Sequence, residues 1–260
     1  HPKTLKADGN IIINNGNNTI SSTDDGIKSE TSITINGGNT IISKATEGIE
    51  AKIITINGGN TNITASDDGV NTTASTQAGG TESNDGSYLY MNGGVLTAVA
   101  TSGDAIDSNG TILMTGGVMV GFGPSNSTNE DIDANGTITI NGGLLFGGCM
   151  NSGMFESISS TAQVGVNLKS SSAVSTASGF IQIKDASGTV IGTFKTPLAY
   201  YYFHLSSPDM KVSTAYSIYT GGTYTGGSTT GGYCTGGNYS GGTLKKSFTT
   251  GTSKVSTLTL

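Results

Sequence analysis

The chain has 260 residues, and its 41 glycines, its lack of tryptophan and a hydrophobic share of 34% favour turns and short strands over helices. A net charge of −6 without a basic stripe excludes the usual nucleic-acid binders, which neutralise phosphates with clustered basic residues. The sequence contains no apolar run long enough to cross a bilayer and no signal-peptide pattern. We therefore expect a mature or trimmed chain without a membrane span. We also expect a secreted or cell-surface location.

A repeated Asn-Gly-Gly tripeptide is the main pattern of the first half of the chain. Copies begin at residues 36, 57, 92 and 141, Thr-Gly-Gly begins at residue 115, and a partial copy begins at residue 14. The spacings are 22, 21, 35, 23 and 26, and the long interval contains an insertion over residues 72–86. Such a period is typical of stacked solenoid coils, whereas the blade of a β-propeller needs four strands and about 40 residues.

Apolar residues recur in register with this tripeptide. Two of them, separated by one residue, precede each copy, as Ile33 and Ile35 do, which is the pattern of a strand with one buried face. A second short apolar stretch follows each turn. Three short strands per coil of about 22 residues predict an all-β fold, a right-handed parallel β-helix, over residues 1–156. The third inward position of each coil is Ile27, Ile49, Val70, Ile106 and Ile132.

The pattern changes over residues 157–260. Residues 180–183 and 190–194, joined by a turn at residues 185–188, predict a β-hairpin, and a Gly-Gly pair then recurs every five residues from Gly221 to Gly241. We interpret this half as a β-rich C-terminal region that caps or extends the helix, because the ends of a solenoid must be covered. Cys149 and Cys234 leave a disulfide possible, but their spacing does not establish one.

Carboxylates occupy two columns beside the third inward position. The corner column lies two residues before it, and the strand column lies directly after it. Coils stack about 4.8 Å apart, so these columns bring like charges together unless a cation lies between them. Ca²⁺ prefers such hard oxygen ligands, and we expect several ions, although a solvated acidic corner is the simpler alternative. The corner column is Asp25, Glu47, Asp68, Asp104 and Glu130, the strand column is Lys28, Glu50, Asn71, Asp107 and Asp133, and Asp24, Asp67 and Asp131 are further candidate ligands.

Residues 67–71 and 103–107 resemble the calcium corner of the family nine pectate lyases, which are β-helices that use clustered aspartate ligands and a lysine base. The Asn-Gly-Gly turns, together with residues 207–209 and 219–222, make nearly the whole chain resemble a bacterial family of carbohydrate-binding parallel β-helix proteins related to those lyases. That resemblance implies binding of cellulose and of acidic pectin such as polygalacturonate, with several bound calcium ions.

Three functions remain open. The first is a calcium-binding protein for plant cell-wall polysaccharides, for which Tyr88, Tyr90, Glu82 and Asp85 are candidate sugar contacts. The second is a calcium-dependent pectate lyase, for which only a lysine base is available, since the chain contains no arginine. Asn71 stands where that pattern has an acidic residue, which weakens the lyase reading. The third is a structural spacer or adhesin; oligomeric state is left open. The candidate bases are Lys28 and Lys52.

Overall fold

The computed structural model describes residues 4–74, 83–126, 128–150 and 153–260, and these residues form strands and turns without a helix. The described part of the chain therefore offers no helix that is long and apolar enough to cross a membrane. Its first half is a parallel β-solenoid of about six turns, which confirms the predicted fold class.

Three parallel sheets make up the solenoid, and each coil contributes one strand to each sheet. The first sheet contains β1 (Leu5–Ala7), β4 (Ile27–Ser29), β7 (Ile49–Ala51), β10 (Val70–Thr72), β13 (Ile106–Ser108) and β16 (Asp133–Ala134). The second contains β2 (Ile11–Ile13), β5 (Ser32–Ile35), β8 (Ile53–Ile56), β11 (Tyr88–Met91), β14 (Thr111–Met114), β17 (Ile138–Ile140) and β19 (Ser160–Thr161). The third begins with β3 (Asn17–Ser21), β6 (Asn39–Lys44), β9 (Asn60–Ala65), β12 (Val95–Ala100), β15 (Val118–Phe122) and β18 (Leu144–Cys149).

The strand register follows the sequence repeat. Ile33 pairs with Ile54, and the next coils continue this row with Leu89, Ile112 and Ile138. These side chains are fully buried and fill the interior of the solenoid. Because each coil places an apolar residue on the same row, the interior is one continuous core with polar residues on the outer faces.

The Asn-Gly-Gly turns are fixed by backbone conformation and by a ladder of side chains. The second glycine of each turn has a positive φ, 80° at Gly59, and a Cβ there would lie 2.6 Å from the carbonyl oxygen of Gly38. The amide of Asn57 donates to Asn36 at 2.9 Å and accepts from Asn92 at 3.0 Å. The asparagine side chains of these turns therefore join successive coils.

The C-terminal region pairs with the last coil. Within the third sheet, β23 (Tyr202–Ser207) lies antiparallel to β18, and β20 (Val164–Lys169) and β28 (Val255–Thr259) continue the sheet beyond it. The other strands form a fourth sheet, which includes the predicted hairpin and packs through a second apolar core, in which Phe146 stacks on Phe194. The fourth sheet contains β21 (Gly179–Asp185), β22 (Val190–Thr196), β24 (Ala215–Thr225), β25 (Ser228–Thr230), β26 (Tyr233–Thr235) and β27 (Asn238–Thr249).

Two details bear on the sequence-based expectations. Cys149 and Cys234 are both buried free thiols, so no disulfide joins them. The boundary between residues 156 and 157 stays a prediction, and strands from both sides of it share the second and third sheets.

Candidate functional site

The strand column runs along the first sheet in register. Lys28 pairs with Glu50, Glu50 with Asn71, Asn71 with Asp107, and Asp107 with Asp133. Their inward neighbours, such as Ile27 and Val70, are fully buried in the core, so alternation directs the column to the outer face. The predicted alignment of these positions in successive coils is therefore present.

The corner column is held by main-chain hydrogen bonds between coils. Asp68 Oδ1 accepts from the N–H of Asp104 at 2.8 Å, Asp104 Oδ1 accepts from the N–H of Glu130, and Glu130 Oε2 accepts from the N–H of Glu156 at 2.9 Å. Each carboxylate is thus oriented by the corner of the next coil. Glu156 continues the column into a sixth coil. It lies two residues before the buried Ile158, so the rule that defined the column would have found it.

The two columns meet in a first cluster near the N-terminus. Carboxylate oxygens of Asp25, Glu47 and Glu50 lie within 4.8 Å of one another. Lys28 enters this cluster, and its Nζ contacts Glu50 Oε1 and lies 3.7 Å from Asp25 Oδ2. The ammonium group already neutralises part of the charge of this first cluster.

A second cluster lies in the later coils. Carboxylate oxygens of Asp104, Asp107 and Asp133 also lie within 4.8 Å of one another, and each of these residues is half-buried. Aspartates occupy the register positions that correspond to Lys28. The second cluster therefore has three carboxyl groups without the lysine that partly neutralises the first. No lysine of the strand column competes with a cation there.

Burial and mutual repulsion both disfavour ionisation of these groups. Burial raises the pKa of Asp104 to about 8, and the neighbouring Asp133 and Asp68 carboxylates add to the increase. The pKa of Asp107 is raised well above its ordinary value by burial and then by Asp68 and Asp133. In the first cluster, burial and the hydrogen bond with Glu50 raise the pKa of Glu47 to about 9. A divalent cation would offset this repulsion and favour the ionised carboxylates.

The donor atoms fit Ca²⁺. Two oxygens that bind one calcium ion at about 2.4 Å lie at most about 4.8 Å apart, which agrees with the spacing within each cluster. Between the clusters, Asn71 is 9% exposed, and its buried Oδ1 has no hydrogen-bond partner among the described residues. A buried amide oxygen costs free energy unless it is bonded, and amide oxygens are ordinary calcium ligands. The column therefore offers a neutral ligand between its two charged groups.

The three additional candidate ligands lie outside both clusters. Asp24 is half-buried and Asp67 is exposed. Asp131 is fully buried, and its Oδ2 lies 2.8 Å from Nδ1 of His204, whose other ring nitrogen lies 2.7 Å from the carbonyl oxygen of Glu156. Burial lowers the pKa of His204, but the Asp131 carboxylate raises it by more, so the pKa lies above its ordinary value. Asp131 thus fixes a buried histidine through Oδ2, and its role as a ligand stays a prediction.

The described candidate sugar contacts lie in the second sheet or just before its strand β11. Tyr88 and Tyr90 are half-buried on the outer face of β11, with parallel rings whose centroids are 5.3 Å apart. Burial raises the pKa of Asp85, but the hydrogen bonds that its carboxylate accepts from the N–H groups of Ala74 and Ser87 lower it overall. Asp85 therefore joins residues 74 and 87. Glu82 lies outside the described residues.

The two candidate bases differ in environment. Lys28 is engaged with Glu50 and Asp25, which hold it as an ammonium ion, whereas a base must be a neutral amine. Lys52 is exposed, directly after β7. The lyase alternative therefore gains no support from the position of Lys28.

Comparison with known proteins gives a match to part of the chain. A family model described as carbohydrate-binding domain-containing protein matches residues 1–48. This segment includes Asp25, Lys28 and Glu47 of the first cluster, and the match supports carbohydrate binding. No curated protein and no solved structure matches the chain. The resemblance to pectate lyases stays a prediction.

Proposed function

We propose that this chain is a calcium-binding carbohydrate-binding protein that recognises plant cell-wall polysaccharides, acidic pectin through its acidic columns and cellulose through neutral surfaces. The family match supports the coarser function of carbohydrate binding. Calcium and the choice of polymers are parts of the proposal. A secreted or cell-surface location belongs to it as well, because the proposed polysaccharides lie outside cells.

The second cluster is the observation that carries the calcium part of the proposal. Three carboxylates from two adjacent coils converge there, and burial has already removed much of the water that would screen their repulsion. A merely solvated corner would leave these groups exposed with ordinary pKa values. Asp104, Asp107 and Asp133 would hold the ion, with Asn71 as a neutral ligand in the same column.

The chain's own residues explain why an acidic protein would bind an acidic polymer only with metal. Without a cation, the later coils of the strand column offer no positive charge to attract polygalacturonate, because their members Asp107 and Asp133 are both aspartates. Bound Ca²⁺ supplies the positive charge that attracts uronate carboxylates. The inter-coil hydrogen bonds of Asp68 and Asp104 keep the corner column fixed, so little ordering remains when the polymer binds.

A pull-down on polygalacturonate in calcium and in EDTA tests the proposal. Native protein is expected to bind in calcium and to be released by EDTA. The double variant Asp107→Asn/Asp133→Asn is expected to lose at least about tenfold in affinity, because each change removes a charged ligand. The matched control is Asp209→Asn, which removes an exposed carboxylate outside both columns. Equal binding in calcium and EDTA, or by the double variant, would contradict the calcium part of the proposal.

A further inference from the structure

The fourth sheet contains a cleft whose residues belong to a different part of the sequence and to a different sheet from the acidic columns. It has a volume of about 430 Å³ and is bounded on one side by the hairpin of β21 and β22 and on the other by the segment that begins at Tyr224. Pockets of about 300–1,000 Å³ accommodate small ligands. The cleft is lined by Gln182, Lys184, residues 190–193, Tyr224 and residues 233–239.

Three tyrosines give the cleft an aromatic wall. The hydroxyl of Tyr224 accepts from the N–H of Gly237 at 2.7 Å, and its ring lies 5.9 Å from that of Phe180. A Cβ on Gly237 would come within 2.5 Å of Tyr224 Cζ, so glycine lets the ring lie flat against the main chain. Tyr233 is positioned by Phe194, at 6.0 Å between ring centroids. Rings held in place bind the C–H face of a sugar with little loss of side-chain freedom.

A buried polar atom without a partner among the described residues also belongs to the lining of this cleft. Gln182 is 5% exposed; its Nε2 donates to Thr193 Oγ1 at 2.7 Å, but its Oε1 has no partner among the described residues. A buried acceptor without a donor is unfavourable, and a ligand hydroxyl would supply the missing hydrogen bond. Gln182 therefore matches a ligand rich in hydroxyls.

The charge of the cleft indicates a neutral ligand. Its lining contains no carboxylate, so it offers no calcium site, and its one charged group is Lys184. The Nζ of Lys184 lies 5.6 Å from the ring centroid of Tyr219, which engages the ammonium as a cation–π pair. A single engaged lysine does not favour an anionic ligand.

We propose that this cleft binds a sugar residue of a neutral polysaccharide without metal, through the rings of Tyr224 and Tyr233 and the amide of Gln182. The inference rests on the proposed function in that both assign carbohydrate binding to this chain. It adds a second, metal-independent site to the calcium-dependent one. One protein would then bind neutral and acidic polymers at the same time.

Calorimetry with cellohexaose in EDTA tests the inference. Native protein is expected to bind, and Tyr224→Ala and Gln182→Leu are each expected to weaken binding by about tenfold or more, since each removes a contact with the ligand. Tyr224→Phe keeps the ring and is expected to retain most of the affinity. Tyr201→Ala removes a half-buried tyrosine outside the cleft lining and serves as the control. Thermal melting of each variant verifies that it is folded.

Three results would overturn the inference: no binding of cellohexaose by native protein, native-like affinity in both cleft variants, or equally tight binding of oligogalacturonate in EDTA. The two proposals fail separately. Asp107→Asn/Asp133→Asn is expected to keep cellohexaose binding, and Tyr224→Ala is expected to keep calcium-dependent binding of polygalacturonate. Loss of both activities in either variant would contradict two independent sites.

Discussion

Replacing Lys28 by glutamine should convert the first cluster into a site that requires a cation. The Lys28 side chain is 19% exposed, and its ammonium contacts Glu50 and lies 3.7 Å from Asp25. Removing one partner of a buried ion pair costs about 3–5 kcal/mol, and partial exposure of the lysine places this one near the lower figure, about 3 kcal/mol. At about 2–4 °C per kcal/mol for a domain of this size, Tm in EDTA should fall by about 6–12 °C.

Calcium should reverse most of that loss. An ion that enters among Asp25, Glu47 and Glu50 takes the place of the ammonium, and at one hundred times its Kd it contributes about 2.7 kcal/mol. Melting curves in EDTA and in calcium, with calorimetric stoichiometry, measure both effects; Lys28→Gln should bind one calcium ion more than native protein. Lys52→Gln, at an exposed lysine, is the control. An equal loss of Tm in both buffers, with unchanged stoichiometry, would refute the reasoning.

Three further predictions concern the columns and the turns. Without calcium, Tm should fall from pH 5 to pH 9, because the pKa values of Asp104 and Glu130 are about 8 in the folded chain. The stability that these protonated carboxyl groups contribute is fully present below their pKa values in the unfolded chain and is lost as the pH rises through about 8. A Tm that does not change with pH would contradict this prediction. Gly103→Ala should weaken calcium binding in calorimetry, because its Cβ would lie 2.3 Å from Asp68 Oδ1, whereas Gly153→Ala, with open space around it, should not. Asn57→Ala removes two ladder hydrogen bonds and should lower the free energy of unfolding, measured in denaturant, by about 1–2 kcal/mol; an unchanged value would assign the ladder no stabilising role.

The coils could be predicted from the sequence, because the spacing of the repeat determines which residues stack in successive coils. Apolar residues at one position of each repeat pair in register, and this places Asp107 beside Asp133 without knowledge of any distance. The hairpin of residues 179–196 was likewise predictable from alternation and a glycine turn. Glu156 was missed although it obeys the column rule, because its buried reference residue, Ile158, lies beyond residue 156, where the predicted coils end.

Other features depend on contacts that no local pattern records. Asp131 has the same residue type and neighbourhood as the column members, yet it faces inward to His204, which is 73 residues away in sequence. The cleft around Tyr224 arises because β26 pairs with β22 and not only with its sequence neighbours, and a five-residue glycine repeat does not specify such pairing.

Crystals grown with calcium provide the most direct test of the central claim, that the acidic columns bind Ca²⁺. Long-wavelength anomalous diffraction is expected to show an ion bound by Asp104, Asp107 and Asp133, with ligand distances of about 2.3–2.6 Å. The same map from Asp107→Asn/Asp133→Asn crystals should lack that peak. Absence of an anomalous peak at the second cluster in native crystals at millimolar calcium would contradict the account.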